Sequence, residues 1–268
     1  MYNYNQISKS NYYSSYVNEQ YIEEHGKPIP FNKIDDIKQI GKNSICKIKY
    51  YEKNNDKYYS GTGFFFQQNI SKIQFYQKYF LMTNNHVLNY DFFKNNNKLL
   101  IEFKNKDRQI PLNNRIKYTN ENLDFTIIEI LKIDSFFDEI DFLTIDGNIM
   151  DNNSEKYYIK NDIFIFQFPK GELSFDKAEI KSINDYIIKH SVSTDYGSSG
   201  SPILLFNNFK IIGIHNQRHL YEKNNLGIFM KNILNDFKYI PQNTRNNNNN
   251  KNRIFKSKII KIKKGVKQ

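Results

Sequence analysis

Residues 194–202 form the stretch of this chain whose composition most clearly suggests chemistry. They read Thr-Asp-Tyr-Gly-Ser-Ser-Gly-Ser-Pro, and nine residues later begins the apolar run 211–214, which ends at His215. A serine hydroxyl is a poor nucleophile at neutral pH, so it needs a base, a carboxylate that orients the base, and donors for an oxyanion. The stretch therefore predicts a nucleophile only if such partners lie elsewhere in the chain.

Two candidate partners lie upstream, each beside an apolar run that is typical of a strand. His86 follows residues 79–83 in the sequence Thr-Asn-Asn-His-Val, and Asp124 leads into the apolar run 125–128. From His86 to Asp124 is 38 residues, and from Asp124 to Ser199 is 75. Taken singly, each stretch also has an ordinary interpretation as a strand cap, a turn or a loop. Together, in this order, they predict a base, an acid and a nucleophile.

These motifs and their order resemble those of trypsin/chymotrypsin-like serine peptidases, in which histidine comes first and serine last. The resemblance implies that Ser199 attacks a peptide carbonyl, His86 acts as general base and Asp124 orients it. It also implies an oxyanion hole formed by the backbone N–H groups of Gly197 and Ser199. Trypsin-like zymogens carry an aspartate just before the nucleophile. Ser198 stands there in this chain, so activation by N-terminal insertion is not expected.

Within this family, the chain most resembles the glutamyl endopeptidase branch. That branch binds an acidic side chain with a threonine five residues before the nucleophile and a histidine after Gly-Ile, the positions of Thr194 and His215. The resemblance implies cleavage after Glu, with Asp second, because a hydroxyl and an imidazole can bind a carboxylate. The alternative is that both residues only pack. Branch members also continue from the histidine into Trp-Gly-Gly or similar, whereas here Arg218 either fills the pocket or offers a cation to an acidic substrate residue.

The composition is that of a chain able to bury a sizeable core, with 268 residues, 39% of them hydrophobic and 16% aromatic. The resemblance implies an all-β fold of two antiparallel β-barrels of the chymotrypsin type with a C-terminal helix, and the strand-like runs fit it. The expected organisation is an N-terminal extension, partly disordered (1–42), a first barrel with His86 and Asp124 (43–131), a connector (132–160), a second barrel and terminal helix with Ser199 (161–241), and an Asn-rich, basic, disordered tail (242–268).

The formal net charge of +11 is concentrated in that tail. From Arg245 onward there are nine Lys or Arg and no acid, which leaves 30 bases against 28 acids in the rest of the chain. A solvated, disordered tail is one interpretation. Another is a helix, because Phe255, Ile259, Ile262 and Val266 have helical spacing; it could contact a membrane, an acidic protein or nucleic acid. The alternative function is therefore an inactive barrel that acts as a binding or scaffold module through its tail.

The cysteine count, the length of the apolar runs and the spacing of the histidines bear on the cell compartment and on cofactors. Cys46 is the only cysteine, so no intramolecular disulfide can form, and a reducing compartment is favoured. No run reaches the roughly 18 apolar residues of a membrane span, and the first residues lack the pattern of a signal peptide. We therefore expect an intracellular, cytoplasmic protein with no transmembrane segment. The five histidines lack zinc-site spacing, so neither a metal nor a cofactor is expected.

Overall fold

Strands make up most of the regular structure. The structure is a computed structural model, and it describes residues 28–52, 57–69, 77–96, 98–218, 224–237 and 254–256. The strands in these ranges are β1 (Ile45–Glu52), β2 (Lys57–Asn69), β3 (Gln77–Thr83), β4 (Lys98–Phe103), β5 (Lys106–Pro111), β6 (Lys117–Asn120), β7 (Phe125–Ile130), β8 (Leu143–Thr144), β9 (Asp162–Gln167), β10 (Ser174–Asn184), β11 (Ile187–His190), β12 (Pro202–Leu205), β13 (Ile211–Arg218), β14 (Asn225–Phe229) and β15 (Ile254–Lys256).

Helices are short and lie between or beside the strands. They are α1 (Ile34–Ser44), α2 (Tyr90–Asn95), α3 (Glu155–Tyr158) and α4 (Met230–Phe237), with 3₁₀ turns at 31–33, 137–139, 147–150 and 169–171. The α2 helix begins after Asn89, whose side chain accepts a 2.9 Å hydrogen bond from the Phe92 N–H. Such an N-cap satisfies a donor that the first helical turn otherwise leaves unpaired.

The N-terminal half is a nine-stranded sheet with the order β15-β6-β7-β3-β2-β1-β4-β5, and β8 pairs with β2 off this path. Most neighbours are antiparallel, whereas β15 runs parallel to β6 and β8 runs parallel to β2. Within the described residues, the end strands β15 and β5 do not pair with each other. This half is therefore a barrel-like sheet that is left open.

The C-terminal half is a closed barrel of six strands in the order β10-β11-β14-β13-β12-β9. Strand β9 is buried along nearly its whole length, as expected for a strand that has packed side chains on both faces. The segment that leads into β12 carries Ser199, and the paired strand β13 carries His215. The closed barrel thus fixes the predicted nucleophile loop against β13.

The two halves share one hydrophobic core through β2. Phe64, Phe65 and Phe66 are all fully buried, which is possible because successive side chains of a strand point to opposite faces. Phe64 and Phe66 belong to a cluster that continues into the C-terminal barrel, while Phe65 belongs to the separate cluster of the N-terminal sheet. At the far end, Phe237 of α4 packs edge-on against Phe80 of β3 with ring centroids 5.2 Å apart. The terminal helix therefore packs back on the N-terminal half.

The all-β class, the closed second barrel and the terminal helix are confirmed. Several elements differ from the sequence expectation: α1 lies largely inside the predicted extension 1–42, β8 and α3 lie inside the predicted connector 132–160, and α2 and β5 do not coincide with the strand-like runs. In the tail, residues 254–256 are extended as β15, which is neither the disordered segment nor the helix that the sequence suggested. The rest of the tail and residues 1–27 lie outside the described residues, and the domain boundaries stay predictions.

Candidate active site

His86 lies in a tight turn immediately after β3. The backbone carbonyl of Asn84 accepts hydrogen bonds from the N–H groups of Val87 (3.3 Å) and Leu88 (3.1 Å). Val87 and Leu88 are buried, whereas the His86 side chain is 48% exposed. The turn therefore anchors itself by its apolar residues and presents the imidazole to solvent at the edge of the sheet.

Asp124 binds the imidazole turn at two atoms. One carboxylate oxygen, Oδ2, lies 2.7 Å from His86 Nδ1, and the other, Oδ1, accepts a 2.8 Å bond from the His86 backbone N–H. Because a carboxylate only accepts, Nδ1 is the ring nitrogen that carries the proton in this arrangement. The remaining nitrogen, Nε2, is then free to accept a proton. The structure thus brings the predicted base and the predicted acid together.

The three serines of the 197–202 segment have different environments. Ser198 and Ser201 are buried: the Ser198 hydroxyl accepts a 3.1 Å bond from the Asp195 N–H, and the Ser201 hydroxyl donates a 2.6 Å bond to the Ser198 carbonyl. Ser199 is half-buried, and its hydroxyl donates a long 3.4 Å bond to the Asn216 carbonyl. Of the three, Ser199 therefore has the hydroxyl that is least committed to the fold.

Two glycines of this segment sit where no other residue fits. Gly197 has a φ of 96°, and a Cβ there would lie 2.2 Å from the Phe168 carbonyl oxygen. Gly200 has a φ of 90°, and a Cβ there would lie 2.1 Å from the Thr62 carbonyl oxygen. Both positions combine the left-handed backbone region with contact against another strand or loop. The glycine pattern of the sequence therefore reflects close packing of the serine loop.

Two backbone N–H groups of the serine loop are candidate donors to an anion. Within the described part of the chain, neither the Gly197 nor the Ser199 N–H donates a hydrogen bond, while their neighbours Ser198 and Gly200 do. The loop is fixed by Thr62, whose N–H donates to the Ser199 carbonyl (2.8 Å) and whose hydroxyl donates to the Gly197 carbonyl (2.7 Å). Two donors without a partner among the described residues, on a backbone that is held in place, meet one requirement of an oxyanion hole.

His215 lies buried behind the serine loop, paired with a second histidine. Its backbone N–H donates to the Ser201 carbonyl at 2.8 Å, and its Nδ1 lies 3.3 Å from His190 Nε2. Burial, reinforced by the nearby charge of His86, lowers the pKa of His215 to about 4. Burial, followed by the charge of His215, also holds the pKa of His190 well below its usual range. Both imidazoles are therefore neutral at neutral pH.

The other predicted specificity residues are less constrained by the structure. Thr194 is half-buried in the segment that leads to the serine loop. The backbone of Arg218 ends β13, paired with Asn225, while its side chain lies outside what the structure describes. Whether Arg218 fills the pocket or faces the substrate stays a prediction.

Three buried residues that contact the site were not identified from the sequence: Thr62, His190 and Asn84. Thr62 could have been found from the Gly-Thr-Gly sequence inside β2, because an internal strand glycine often marks a close backbone approach. Indeed, a Cβ at Gly61 would lie 2.7 Å from Val87 and 3.2 Å from the Ser199 carbonyl oxygen. His190 had no local signal, since its role depends on the pairing of strands distant in sequence.

The described residues contain neither a metal-binding cluster nor a reactive cysteine. Among the described residues, no three His, Cys, Asp or Glu side chains are grouped as metal ligands. Cys46 is fully buried in β1, and burial raises its thiol pKa, which makes it unreactive. In the part of the chain that the structure describes, no helix has the length and apolar composition to cross a bilayer.

Comparison with known proteins agrees with this architecture. The sequence profile of the trypsin-like peptidase domain matches residues 61–214, more than half of the chain. The chain therefore belongs to the trypsin-like peptidase domain family. No curated protein matches its sequence significantly.

Solved structures with the same fold include several proteases. A serine endoprotease from Yersinia pestis has a TM-score of 0.54 at 12% identity, over 80% of this chain and 67% of that one. An active-form protease from M. tuberculosis has a TM-score of 0.56 at 14% identity, over 78% and 86% of the respective chains. A Glu endopeptidase has a TM-score of 0.52 at 17% identity, over 73% and 88%. At these identities the similarity establishes the fold.

Proposed function

We propose that this protein is a serine endopeptidase that acts through His86, Asp124 and Ser199. The observation that carries the proposal is the two-point contact of the Asp124 carboxylate with the ring and the backbone of His86. That contact leaves Nε2 as the proton acceptor, which is the tautomer a general base needs. The family membership of the chain and the uncommitted hydroxyl of Ser199 support the same assignment.

In the proposed reaction, the Ser199 hydroxyl turns from the Asn216 carbonyl toward His86. Its oxygen bonds to the substrate carbonyl carbon while His86 Nε2 takes the hydroxyl proton, and the N–H groups of Gly197 and Ser199 bind the resulting oxyanion. His86 then gives the proton to the leaving amine as the C–N bond breaks. Water attacks the acyl-enzyme in the same way and releases the carboxylic acid. Asp124 stabilises the imidazolium form of His86 throughout.

Activation by insertion of a new N-terminus is not part of this proposal. The residue that would form the required ion pair is Ser198, which cannot carry a charge and whose hydroxyl already accepts the Asp195 N–H. Thr62 bonds the loop at the Gly197 and Ser199 carbonyls without any free terminus. These contacts favour a loop that is ready for catalysis in the chain as it stands.

We further propose that the pocket prefers Glu, then Asp, before the scissile bond, through Thr194 and His215. Because His215 is neutral at neutral pH, an imidazole N–H would bind the substrate carboxylate as a hydrogen-bond donor rather than as a cation. A peptide-library cleavage profile tests this: Thr194→Val and His215→Gln should reduce the preference for acidic residues while cleavage after other residues persists. A wild-type profile without any acidic preference would contradict the assignment.

The tail is proposed as a separate contact with an anionic surface. Its nine bases without an acid from Arg245 onward support an electrostatic interaction, which salt would weaken. We also retain the proposal of an intracellular, reducing location, which the buried, unreactive Cys46 as sole cysteine supports.

Peptide hydrolysis by purified protein tests the endopeptidase proposal. Wild-type protein should cleave an unfolded polypeptide, and Ser199→Ala should lose all but the residual activity of the oxyanion donors, a fall of about 10⁴-fold or more in kcat. The matched control is Ser193→Ala, an exposed serine whose described contacts involve its backbone atoms. Equal activity of Ser199→Ala and wild type would refute the proposal.

A further inference from the structure

Asn84 is a fully buried asparagine that the reaction scheme leaves without a role. It follows β3 and precedes His86 by two residues, and none of its side chain is exposed. Its amide group Nδ2 donates a 2.8 Å hydrogen bond to the backbone carbonyl of Asp124. Its other side-chain atom, Oδ1, is buried without a hydrogen-bond partner among the described residues. Burying an unpaired oxygen is unfavourable, and the bond from Nδ2 offsets part of that cost.

The carbonyl that Asn84 binds belongs to a residue in an unusual backbone conformation. Asp124 has a φ of 45°, in the left-handed backbone region that residues other than glycine seldom adopt. Such conformations persist when surrounding contacts hold them. On the other side of the turn, the Asn120 side chain accepts a 2.9 Å bond from the Leu123 N–H. This backbone conformation is the one in which both carboxylate oxygens of Asp124 reach His86.

The backbone of Asn84 binds the His86 turn and lies close to the serine loop. Its carbonyl accepts the hydrogen bonds that close the His86 turn. Its nitrogen lies 3.3 Å from where a Cβ of Gly200 would be, directly after Ser199. One buried residue therefore bonds to both the base turn and Asp124, and it lies beside the serine loop.

From these contacts we infer that Asn84 is a positioning residue that holds Asp124 in the orientation needed to bind His86. The inference rests on the proposed peptidase function. Asn84 touches neither His86 Nε2 nor the Ser199 hydroxyl in this arrangement; it acts through the backbone of Asp124. Without its amide donor, the turn at Asp124 relaxes, and the carboxylate no longer meets both the ring and the backbone of His86.

The neighbouring Asn85 offers a matched control. It has the same side chain, lies in the same turn and is half-buried, but its amide group donates to the Thr119 hydroxyl of β6 instead of to Asp124. A variant at Asn85 therefore changes the same turn without removing the bond to Asp124.

The experiment compares Asn84→Ala, Asn84→Leu and Asn85→Ala with wild type in three measurements. Peptide hydrolysis gives kcat and KM, a fluorophosphonate probe gives both the rate of labelling and the fraction of molecules that react, and proton NMR follows the downfield signal of the His86 Nδ1 proton. The signal is assigned by its absence in His86→Ala. Asn84→Leu has nearly the same shape and volume and carries neither a donor nor an acceptor.

For Asn84→Ala we expect kcat to fall about 100-fold, as for a catalytic group displaced by about 1 Å, with KM within about twofold of wild type. The reactive fraction should stay complete while the labelling rate falls, and the Nδ1 proton signal should weaken. Asn85→Ala should keep the wild-type values in all three measurements.

Wild-type kcat in Asn84→Ala, or a loss of reactive fraction with an unchanged labelling rate, would overturn the inference, because the latter indicates loss of folded protein alone. If Asn84→Ala does not fold, Asn84→Leu decides: retained kcat without the amide donor overturns the inference, and lowered kcat with a complete reactive fraction supports it. If wild type neither hydrolyses nor labels, the proposed function fails instead, and the NMR comparison still tests whether Asn84 orients the Asp124 contact.

Discussion

The imidazole of His86 is half-exposed, yet its orientation is determined, because one carboxylate meets both its ring nitrogen and its backbone N–H. The carboxylate is in turn held by a left-handed backbone at Asp124 and by the buried amide of Asn84. The fold therefore fixes the orientation of the His86 imidazole through hydrogen bonds to the backbone. This is how an exposed side chain can be kept ready for proton transfer.

The sequence singles out the residues that we propose as catalytic, but it does not identify the residues that hold them in place. His86, Asp124 and Ser199 each stand beside a strand-like run in a known order, which is local information. Asn84 was visible as part of the same motif, but its bond to the carbonyl of Asp124 depends on the packing of the β3 end against a turn 40 residues away. Long-range contacts of this kind leave no periodic signal in one sequence.

The histidine pair makes folding stability depend on pH. An exposed histidine has a pKa of 6.5, whereas His215 has a pKa of about 4 in the fold, so the unfolded chain binds a proton across this window and the folded chain does not. Stability is therefore complete above pH 6.5 and falls as the pH decreases. From pH 7 to pH 5 we expect His215 to reduce the free energy of unfolding by about 2 kcal/mol, with His190 acting in the same direction.

Urea unfolding at several pH values measures this slope. Inactive Ser199→Ala protein avoids self-digestion, and the same protein with His215→Gln serves as the comparison. The added substitution should flatten the slope between pH 7 and pH 5. Identical slopes in the two proteins would contradict the neutral, buried state of His215.

Among the secondary-structure elements, the buried strands were predicted well from the sequence, whereas the exposed edge strand was not. Strands β7 and β9 are buried and carry continuous apolar runs. The missed strand β5 lies at the sheet edge, and its sequence, Lys-Asp-Arg-Gln-Ile-Pro, is mostly exposed and polar. Edge strands typically carry charge and proline, so their sequences resemble loops.

A buried ion pair joins the segment before β6 to the turn that follows β7. The side chains of Arg115 and Asp134 are each 2% exposed and form two parallel bonds of 2.9 and 2.8 Å. Asp134→Ala should lower the free energy of unfolding by about 3–5 kcal/mol, because it leaves the guanidinium buried without its partner.

Chemical denaturation measures that loss. Glu179→Ala is the control, because the Lys181–Glu179 pair is largely exposed and should contribute less than about 1 kcal/mol. Equal effects of the two substitutions would show that the Arg115–Asp134 pair does not stabilise this part of the fold.

At the scale of the whole molecule, an open N-terminal sheet lies against a closed barrel, with Thr62 and the shared phenylalanine core joining them. The resemblance of the sequence motifs to the peptidase family implied this division, and the number of strand-like runs was compatible with it. The open edge of the sheet and the strand β15 on β6 could not be predicted, because pairing between the tail and a strand more than a hundred residues earlier has no local signature.

Deletion of residues 245–268 tests whether the tail binds an anionic surface independently of the proposed peptidase activity. The deletion removes nine bases, so binding to vesicles that contain anionic lipid should be lost, and wild-type binding should weaken as salt increases. Hydrolysis of a short peptide should persist. Salt-independent binding, or full binding by the truncated protein, would contradict an electrostatic role for the tail.

The most direct test of the central claim is to find the residue that a fluorophosphonate probe modifies. The probe forms a bond from phosphorus to the attacking oxygen and releases fluoride, and peptide mass spectrometry then locates the adduct. We predict one adduct, on Ser199, in wild-type protein, and none in Ser199→Ala or His86→Ala. An adduct on Ser198 or Ser201, or no adduct on folded wild-type protein, would contradict the assignment of Ser199 as the nucleophile.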